Sequence, residues 1–254
     1  MAVYAMTGGA TGIGASLREG LETAGHRVIS VDIKQGDIIA DLSTADGRQS
    51  AIDGVSAMAP DGLDGFIPCA GLPPVANPLS LIPRVNYFAV VATVEGLRDL
   101  VAKKRGSVLL VSSNSAPMVP EDDEYVQSCL AGDEEGACAN IESRDGHTAY
   151  AGSKRAITMW MRRNIVDFAR SGVRMNAVAP GITLTPLSEQ VMADPALGQA
   201  MKDFAESVPW GGTAQPGQIA DVMQFMLSDA ADFVCGSVFF VDGGSDAMIR
   251  PDSF

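Results

Sequence analysis

Hydrophobic and polar positions along the 254-residue chain alternate between two periods. Short, nearly unbroken apolar runs are followed by longer stretches in which apolar residues return every three or four positions. "AVYAM" is the first such run and ends at Thr7. "GASLREGLETAG" then carries helical spacing and stops at Gly25, a residue suited to a helix C-terminus. Further strands are predicted at "RVISVD", "DIIAD", "LDGFIPCAG", "GSVLLVSS", "VRMNAVAP" and "GSVFFVDGG". Helices are predicted at "TADGRQSAIDGVSAMA", "LIPRVNYFAVVATVEGLRDLVAKK", "TAYAGSKRAITMWMRRNIVDFARSG" and "PGQIADVMQFMLS". Strands that are apolar throughout are covered on both faces, so this pattern predicts an α/β, Rossmann-type doubly wound parallel sheet of about seven strands. No Pro/Gly/Ser-rich linker divides the chain, and residues 1–254 read as one domain.

Two segments break the alternation. Pro117 to His147 contains nine acids and one base, Arg144, with Tyr125, Val126, Leu130, Ala137 and Ile141 at partly helical spacing. It reads as a helix-loop-helix excursion, since acid clusters are mostly solvated faces. From Leu184 to Trp210 run Leu184, Leu187, Met192, Leu197, Met201 and Phe204, the pattern of a mobile lid that shields a site from water.

Composition narrows the partners. A net charge of −13 argues against nucleic acid or an anionic membrane surface. No apolar stretch reaches membrane-spanning length and the N-terminus lacks the features of a signal peptide, so a cytoplasmic protein is expected. Four cysteines without Cys-x-x-Cys spacing and two histidines make no convincing metal set, and no metal is expected.

Candidate chemistry begins at "TGGATGIG", where a strand gives way to a helix. Gly8, Gly12 and Gly14 let the backbone approach a pyrophosphate, whose charge meets the free N–H groups of the helix start. Asp32 ends the next strand, 18 residues past Gly14. A carboxylate there accepts hydrogen bonds from ribose hydroxyls and repels a 2′-phosphate, which favours NAD over NADP, although Lys34 is close by. The expected cofactor contacts in these two turns are Gly8, Thr11, Gly12, Ile13, Gly14, Asp32 and Ile33.

Tyr150 and Lys154 are four apart on a strong helical period and share one face. A phenol is a poor base at neutral pH; lowering its pKa by about three units takes about 4 kcal/mol of preference for the phenolate. A nearby ammonium together with a positive nicotinamide ring is the expected source. Ser113, at the carboxyl end of a central strand, is placed to hydrogen-bond a substrate oxygen.

The ordered set "TGGATGIG", "CAG" at 69–71, "VNYF", "LLVSS", "YAGSK" and "VAPGITLTP" resembles the classical short-chain dehydrogenases/reductases over essentially the whole chain. The resemblance implies a catalytic set of Asn86, Ser113, Tyr150 and Lys154. In it Tyr150 is the acid/base, Lys154 depresses its pKa and holds the ribose, and Asn86 holds a relay water. It adds Asp41 and Leu42 at the adenine, and Cys69, Ala70 and Gly71 at the ribose. Pro180, Gly181, Thr183 and Thr185 lie in the segment that grips the carboxamide. Cys69 departs from the asparagine usual at its position, so only its backbone is expected to take part. The long excursion, "CAG" and "DGGSDAMIRPDSF" are similar to the bacterial 3α-hydroxysteroid dehydrogenase/carbonyl reductase branch. That implies oxidation of a bulky apolar secondary alcohol, or reduction of the ketone, with NAD. Asn114, Ser115, Met118, Leu184, Leu187 and Met192 are, with Ser113, the expected substrate-lining residues. An NADP-dependent carbonyl reductase of another class and a non-catalytic dinucleotide sensor remain alternatives.

Family members usually assemble through the helices that bear Asn86 and Tyr150. A bulky acidic excursion beside them is expected to obstruct that contact. A homodimer through the last helix and last strand is therefore expected, with a tetramer possible.

Overall fold

The computed structural model describes residues 1–253, and its centre is a seven-stranded parallel sheet in the order β3-β2-β1-β4-β5-β6-β7. The strands are β1 (Val3–Thr7), β2 (Arg27–Asp32), β3 (Ile38–Ile39), β4 (Gly65–Pro68), β5 (Ser107–Val111), β6 (Arg174–Pro180) and β7 (Val238–Val241). The chain order reverses between β1 and β4, the switch point outside which such sheets leave a crevice. Every strand foreseen from the apolar runs is present, with "DIIAD" reduced to the two residues of β3.

One face of the sheet is covered by α1 (Gly12–Thr23) and α10 (Pro216–Leu227). Gly14, Leu17 and Leu21 of α1 are buried at helical spacing and share a core with Met6, Leu109, Val178 and Met223. The other face carries α2 (Ala45–Met58), α4 (Ala89–Lys103) and α7 (Gly146–Arg170), around Phe66, Leu97, Val108 and Ile157. A three-residue turn α3 (Leu81–Pro83) and a π-helical turn (Arg84–Phe88) lead into α4, so the long period seen in sequence is one helical path with a widened turn at Asn86. π-turns are frequent at functional sites because they distort the regular ladder of backbone bonds. The proline-rich stretch before it forms no longer helix, since Pro73, Pro74 and Pro78 withhold backbone donors.

The acidic excursion forms α5 (Glu124–Leu130) and α6 (Glu134–Glu142). Several of its acids have local work: Asp123 caps α5 by accepting from Tyr125 N, and Asp133 caps α6 by accepting from Gly136 N. Asp145 caps α7 in the same way through Thr148 N. Asp123 also takes both outer nitrogens of Arg144 at 2.8 and 2.7 Å. The inner face of the excursion is apolar, and Tyr125, Val126, Ala137 and Ile141 are fully buried in the main core. Tyr125 packs where a Cβ on Gly152 of α7 would stand 2.7 Å from its ring, and its hydroxyl donates to Ala149 O at 3.1 Å. The lid segment forms α8 (Pro186–Ala193) and α9 (Gly198–Ser207), and α11 (Ser245–Ile249) follows β7. No helix among the described residues is long and apolar enough to cross a membrane.

Candidate active site

The carboxyl ends of β1, β4, β5 and β6 bring together the first turn, "CAG", Ser113 and the segment after Pro180. In the first turn Gly8 adopts φ 71°, and a Cβ there would meet Ala70 Cα at 2.6 Å. Gly12 adopts φ 57°, and its Cβ would meet the Thr185 methyl at 3.0 Å. Only glycine accepts both the left-handed backbone and these approaches. The turn is thus open to a phosphate on one side and closed by Ala70 and Thr185 on the others. Thr11 is exposed and Ile13 half-buried at the start of α1, where free backbone N–H groups favour an anion. This cradle fits a dinucleotide pyrophosphate.

Asp32 ends β2 half-buried, with Ile33 exposed beside it, and one Asp32 carboxylate oxygen accepts from Lys34 N at 3.2 Å. The chain then folds back along β3, with Ala40 N donating to Asp32 O, and reaches Asp41 and Leu42. Leu42 is buried and lines one small void with Thr7, Ala70 and Val90, so this segment lies beside the cradle.

Ser112 and Ser113 part company at the end of β5. Ser112 Oγ is spent on Thr158 Oγ1 at 2.7 Å, inside the fold. Ser113 Oγ lies 2.9 Å from Ser115 Oγ, accepts from Ser115 N at 3.1 Å, and approaches the Tyr150 phenol. Lys154 is buried, its Nζ donating to Val111 O at 2.8 Å and standing 5.8 Å from the Tyr150 ring centre. A Cβ placed on Gly71 would lie 3.9 Å from that Nζ and 3.5 Å from Asn86 Oδ1, which fixes the three groups around one point. Asn86 itself brackets Leu72, accepting from its N at 2.7 Å and donating to its O at 3.1 Å.

Burial holds the Lys154 ammonium down at about 8. Burial also raises Tyr150, against a lowering contribution from the Ser113 hydroxyl. The expected depression of the phenol involves both the Lys154 ammonium and a positive nicotinamide ring. Lys154 is turned toward Val111 O, and in the chain by itself loss of water around the phenol sets the direction. Cys69 is partly buried and raised to about 11 by desolvation, so its thiol stays neutral and un-nucleophilic at physiological pH. The single tyrosine of the acidic excursion is also inert: burial raises Tyr125 far above the ordinary phenol range.

Asn114, expected in the substrate wall, has its amide committed to the C-terminal turn. It is buried, and its amide donates to Ser245 Oγ at 2.9 Å. Ser245 Oγ in turn donates to Asp242 Oδ2 at 2.9 Å, tying the strand end to the C-terminal turn. Asp242 also backs Gly181, whose Cβ would meet Asp242 Cα at 2.7 Å. No local signal reveals this chain of contacts, because Asn114 and Ser245 are 131 residues apart. Met118 and Leu184 keep exposed side chains, Leu187 and Met192 are half-buried on α8, and Trp210 at the end of the lid is 88% exposed. Thr183 is buried and Thr185 caps α8.

A cleft of about 650 Å³ lies at the opposite, amino ends of the strands, between Tyr4, His26, Asp64, Arg174 and Asp229. Its acids and bases are interleaved and it has no contact with Ser113, Tyr150 or Lys154, so the chemistry is assigned to the carboxyl ends.

Comparison with known proteins agrees with this geometry. A family model described as enoyl-(acyl carrier protein) reductase matches residues 136–246. The chain is 39% identical to 3-alpha-hydroxysteroid dehydrogenase/carbonyl reductase of Comamonas testosteroni, over 100% of both chains. It is 28% identical to cis-4-hydroxycyclohexanecarboxylate dehydrogenase of Sinomonas cyclohexanicum, over 97% of each. The crystal structure of 3-alpha-hydroxysteroid dehydrogenase from Pseudomonas sp. B-0831, complexed with NADH, superposes with a TM-score of 0.96. That match has 42% identity and covers 99% of this chain and 100% of the other.

Proposed function

The chain belongs to the short-chain dehydrogenase/reductase family, and from that premise we propose that it is an NAD-dependent oxidoreductase interconverting a bulky, apolar secondary alcohol and its ketone. The observation that carries the reading is the meeting of Ser113, Tyr150 and Lys154 at the carboxyl ends of β5 and β6, beside a glycine cradle that fits a dinucleotide. Steroid-like or other cyclic alcohols are the proposed substrates, given the names of the relatives above and the apolar residues of the lid.

Bound NAD⁺ would take up the hydride from the carbinol carbon at its nicotinamide ring. The rest is work for the chain's own side chains. The Ser113 hydroxyl donates to the substrate oxygen and fixes it beside Tyr150. The Tyr150 phenolate takes the alcohol proton as the carbonyl forms, and its phenol returns a proton in the reverse direction. The Lys154 ammonium, with Val111 O as one partner, keeps two N–H donors for the ribose hydroxyls and supports the phenolate. Gly8, Thr11, Gly12, Ile13 and Gly14 would hold the pyrophosphate. Asp32 and Ile33 would hold the adenosine ribose, and Asp41 and Leu42 would border the adenine. Cys69, Ala70 and Gly71 would lie along the nicotinamide ribose, and Pro180, Gly181, Thr183 and Thr185 along the carboxamide.

Asp32 tests the cofactor choice. With wild type, NADH formation from a graded series of cyclic secondary alcohols is expected at rates well above NADPH formation. Asp32→Ala should remove the repulsion of a 2′-phosphate and lower the NAD/NADP ratio of kcat/KM by about 10- to 100-fold. A wild type that turns over NADP as readily as NAD would overturn the assignment.

A dimer through α10 and β7 is the proposed assembly. Phe225, Phe233, Phe240, Met248 and Ile249 are exposed around this edge of the sheet, and β7 leaves one side of its ladder unpaired. Light scattering should report twice the monomer mass, and Phe233→Glu should halve it. A tetramer that survives Phe233→Glu would point to the α4/α7 face instead.

A further inference from the structure

Four charged side chains join the acidic excursion to the opposite end of the proposed cofactor groove. Glu134, the first residue of α6, receives Arg48 through both carboxylate oxygens, at 2.7 and 2.9 Å. Arg84, in the π-helical turn, reaches the same carboxylate at 2.8 Å and Glu135 at 2.8 Å. Arg48 is 93% buried as a residue, and it also donates to three main-chain carbonyls. Nε gives 2.9 Å to Leu42 O, while Nη2 gives 3.4 Å to Ser43 O and 3.1 Å to Arg84 O. Burial works against ionisation of Glu134, but the two guanidiniums outweigh it and hold the carboxyl below its usual range.

The segment that Arg48 holds, at Leu42 O and Ser43 O, is the one that lies beside the cradle. With a pyrophosphate at the first turn and a ribose at Asp32, the adenine ring has the Asp41–Leu42 segment to lie against. That segment is held partly by its neighbours: Ser43 N and Oγ turn back to Asp41 Oδ1, Thr44 N and Oγ1 donate to Asp41 O, and the Leu42 side chain packs in the main core. Arg48 is the long-range tie, and Glu134 is what orients Arg48. Removing one partner of such an ion pair leaves the other charge buried and uncompensated, so the guanidinium would turn toward water and release the carbonyls.

We propose that Glu134 is a positioning residue for the adenine half of the dinucleotide, with Arg48 as the arm through which the excursion sets the conformation of Asp41–Leu42. The inference rests on the dinucleotide reading above and deepens it. It gives the excursion a part in cofactor binding rather than in proton transfer.

The test uses the full-length chain. Glu134→Gln and Glu134→Ala are titrated with NADH and with ADP-ribose, which keeps the adenosine and pyrophosphate but lacks the nicotinamide, and their steady-state constants are measured with an alcohol that wild type oxidises. The Kd of both ligands and the KM for NAD should rise roughly tenfold, the equivalent of about 1.4 kcal/mol. The kcat at saturating NAD and the KM for the alcohol should stay within about twofold of wild type. Arg48→Lys covers the case in which the glutamate variants do not fold. It keeps the charge pair, but an ammonium cannot hold three carbonyls in the guanidinium's fork, so ADP-ribose should again weaken. A folded variant that binds ADP-ribose as wild type does would overturn the proposal, as would equal damage to kcat and to both KM values. Failure of wild type to bind NADH and NADPH would instead remove the dinucleotide reading on which the proposal stands.

Discussion

Tyr150→Phe is expected to lower kcat by about 10³-fold or more while NADH binds with nearly wild-type affinity. The substitution removes one oxygen from a ring that stays packed on α7, so fold and cradle are left in place. What disappears is the hydroxyl placed beside Ser113 on the ring that stands near Lys154. Turnover in alcohol oxidation and ketone reduction should fall together, because one group takes the proton in one direction and returns it in the other. NADH fluorescence titration reports the binding arm and absorbance of the reduced cofactor reports the chemical arm. Retained turnover would mean that another group moves the proton. Retained binding with no turnover in wild type either would favour a dinucleotide sensor on this fold.

Lys154→Met is expected to abolish turnover and stabilise the protein at the same time. The buried ammonium has its pKa held down from 10.5 to about 8, which corresponds to about 3 kcal/mol of folding free energy lost at neutral pH. Methionine fills a similar volume without that cost, although Val111 O loses its donor, so a net gain of about 1–3 kcal/mol is expected. The pH dependence has a definite sign. The folded value lies below the unfolded one, so between about pH 8 and 10.5 the unfolded chain binds more protons and wild-type stability gains from Lys154 as pH rises. Below pH 8 the penalty is present in full. Denaturant melts of both proteins at pH 7 and 10 should therefore differ more at pH 7 than at pH 10. A variant less stable than wild type at pH 7 would mean that the ammonium is well compensated in the fold.

These two effects together describe a site maintained against the preference of the fold. Burial pushes the phenol of Tyr150 up and the ammonium of Lys154 down, each toward its neutral form. For the proposed reaction the opposite ionisation is wanted, a phenolate beside an ammonium, and the positive nicotinamide of a bound NAD⁺ would favour the phenolate. Proton transfer by Tyr150 would then be tied to occupancy of the cofactor groove. Loss of the Glu134–Arg48 clamp would act earlier, on that occupancy, and leave the chemical step of the filled site unchanged.

What the sequence determined by itself is local or periodic. Apolar runs read out β1, β2, β4, β5, β6 and β7, and the spacing of Leu17 and Leu21 or of Tyr150 and Lys154 set helical faces. The glycines of the first turn were legible because φ values of 71° and 57° at Gly8 and Gly12 exclude nearly every other residue. The excursion was legible as a helix-loop-helix because Tyr125, Val126, Leu130, Ala137 and Ile141 recur at partly helical spacing. Tertiary structure alone decided the rest. Arg48 and Glu134 are 86 residues apart and Asn114 and Ser245 are 131, and no nearby pattern announces either pair. The direction of the Tyr150 and Lys154 shifts also waited on the fold, because it depends on how much water each group loses. Chain-local forces choose conformations over a few residues, whereas burial and long-range charge pairing exist only once distant segments have met.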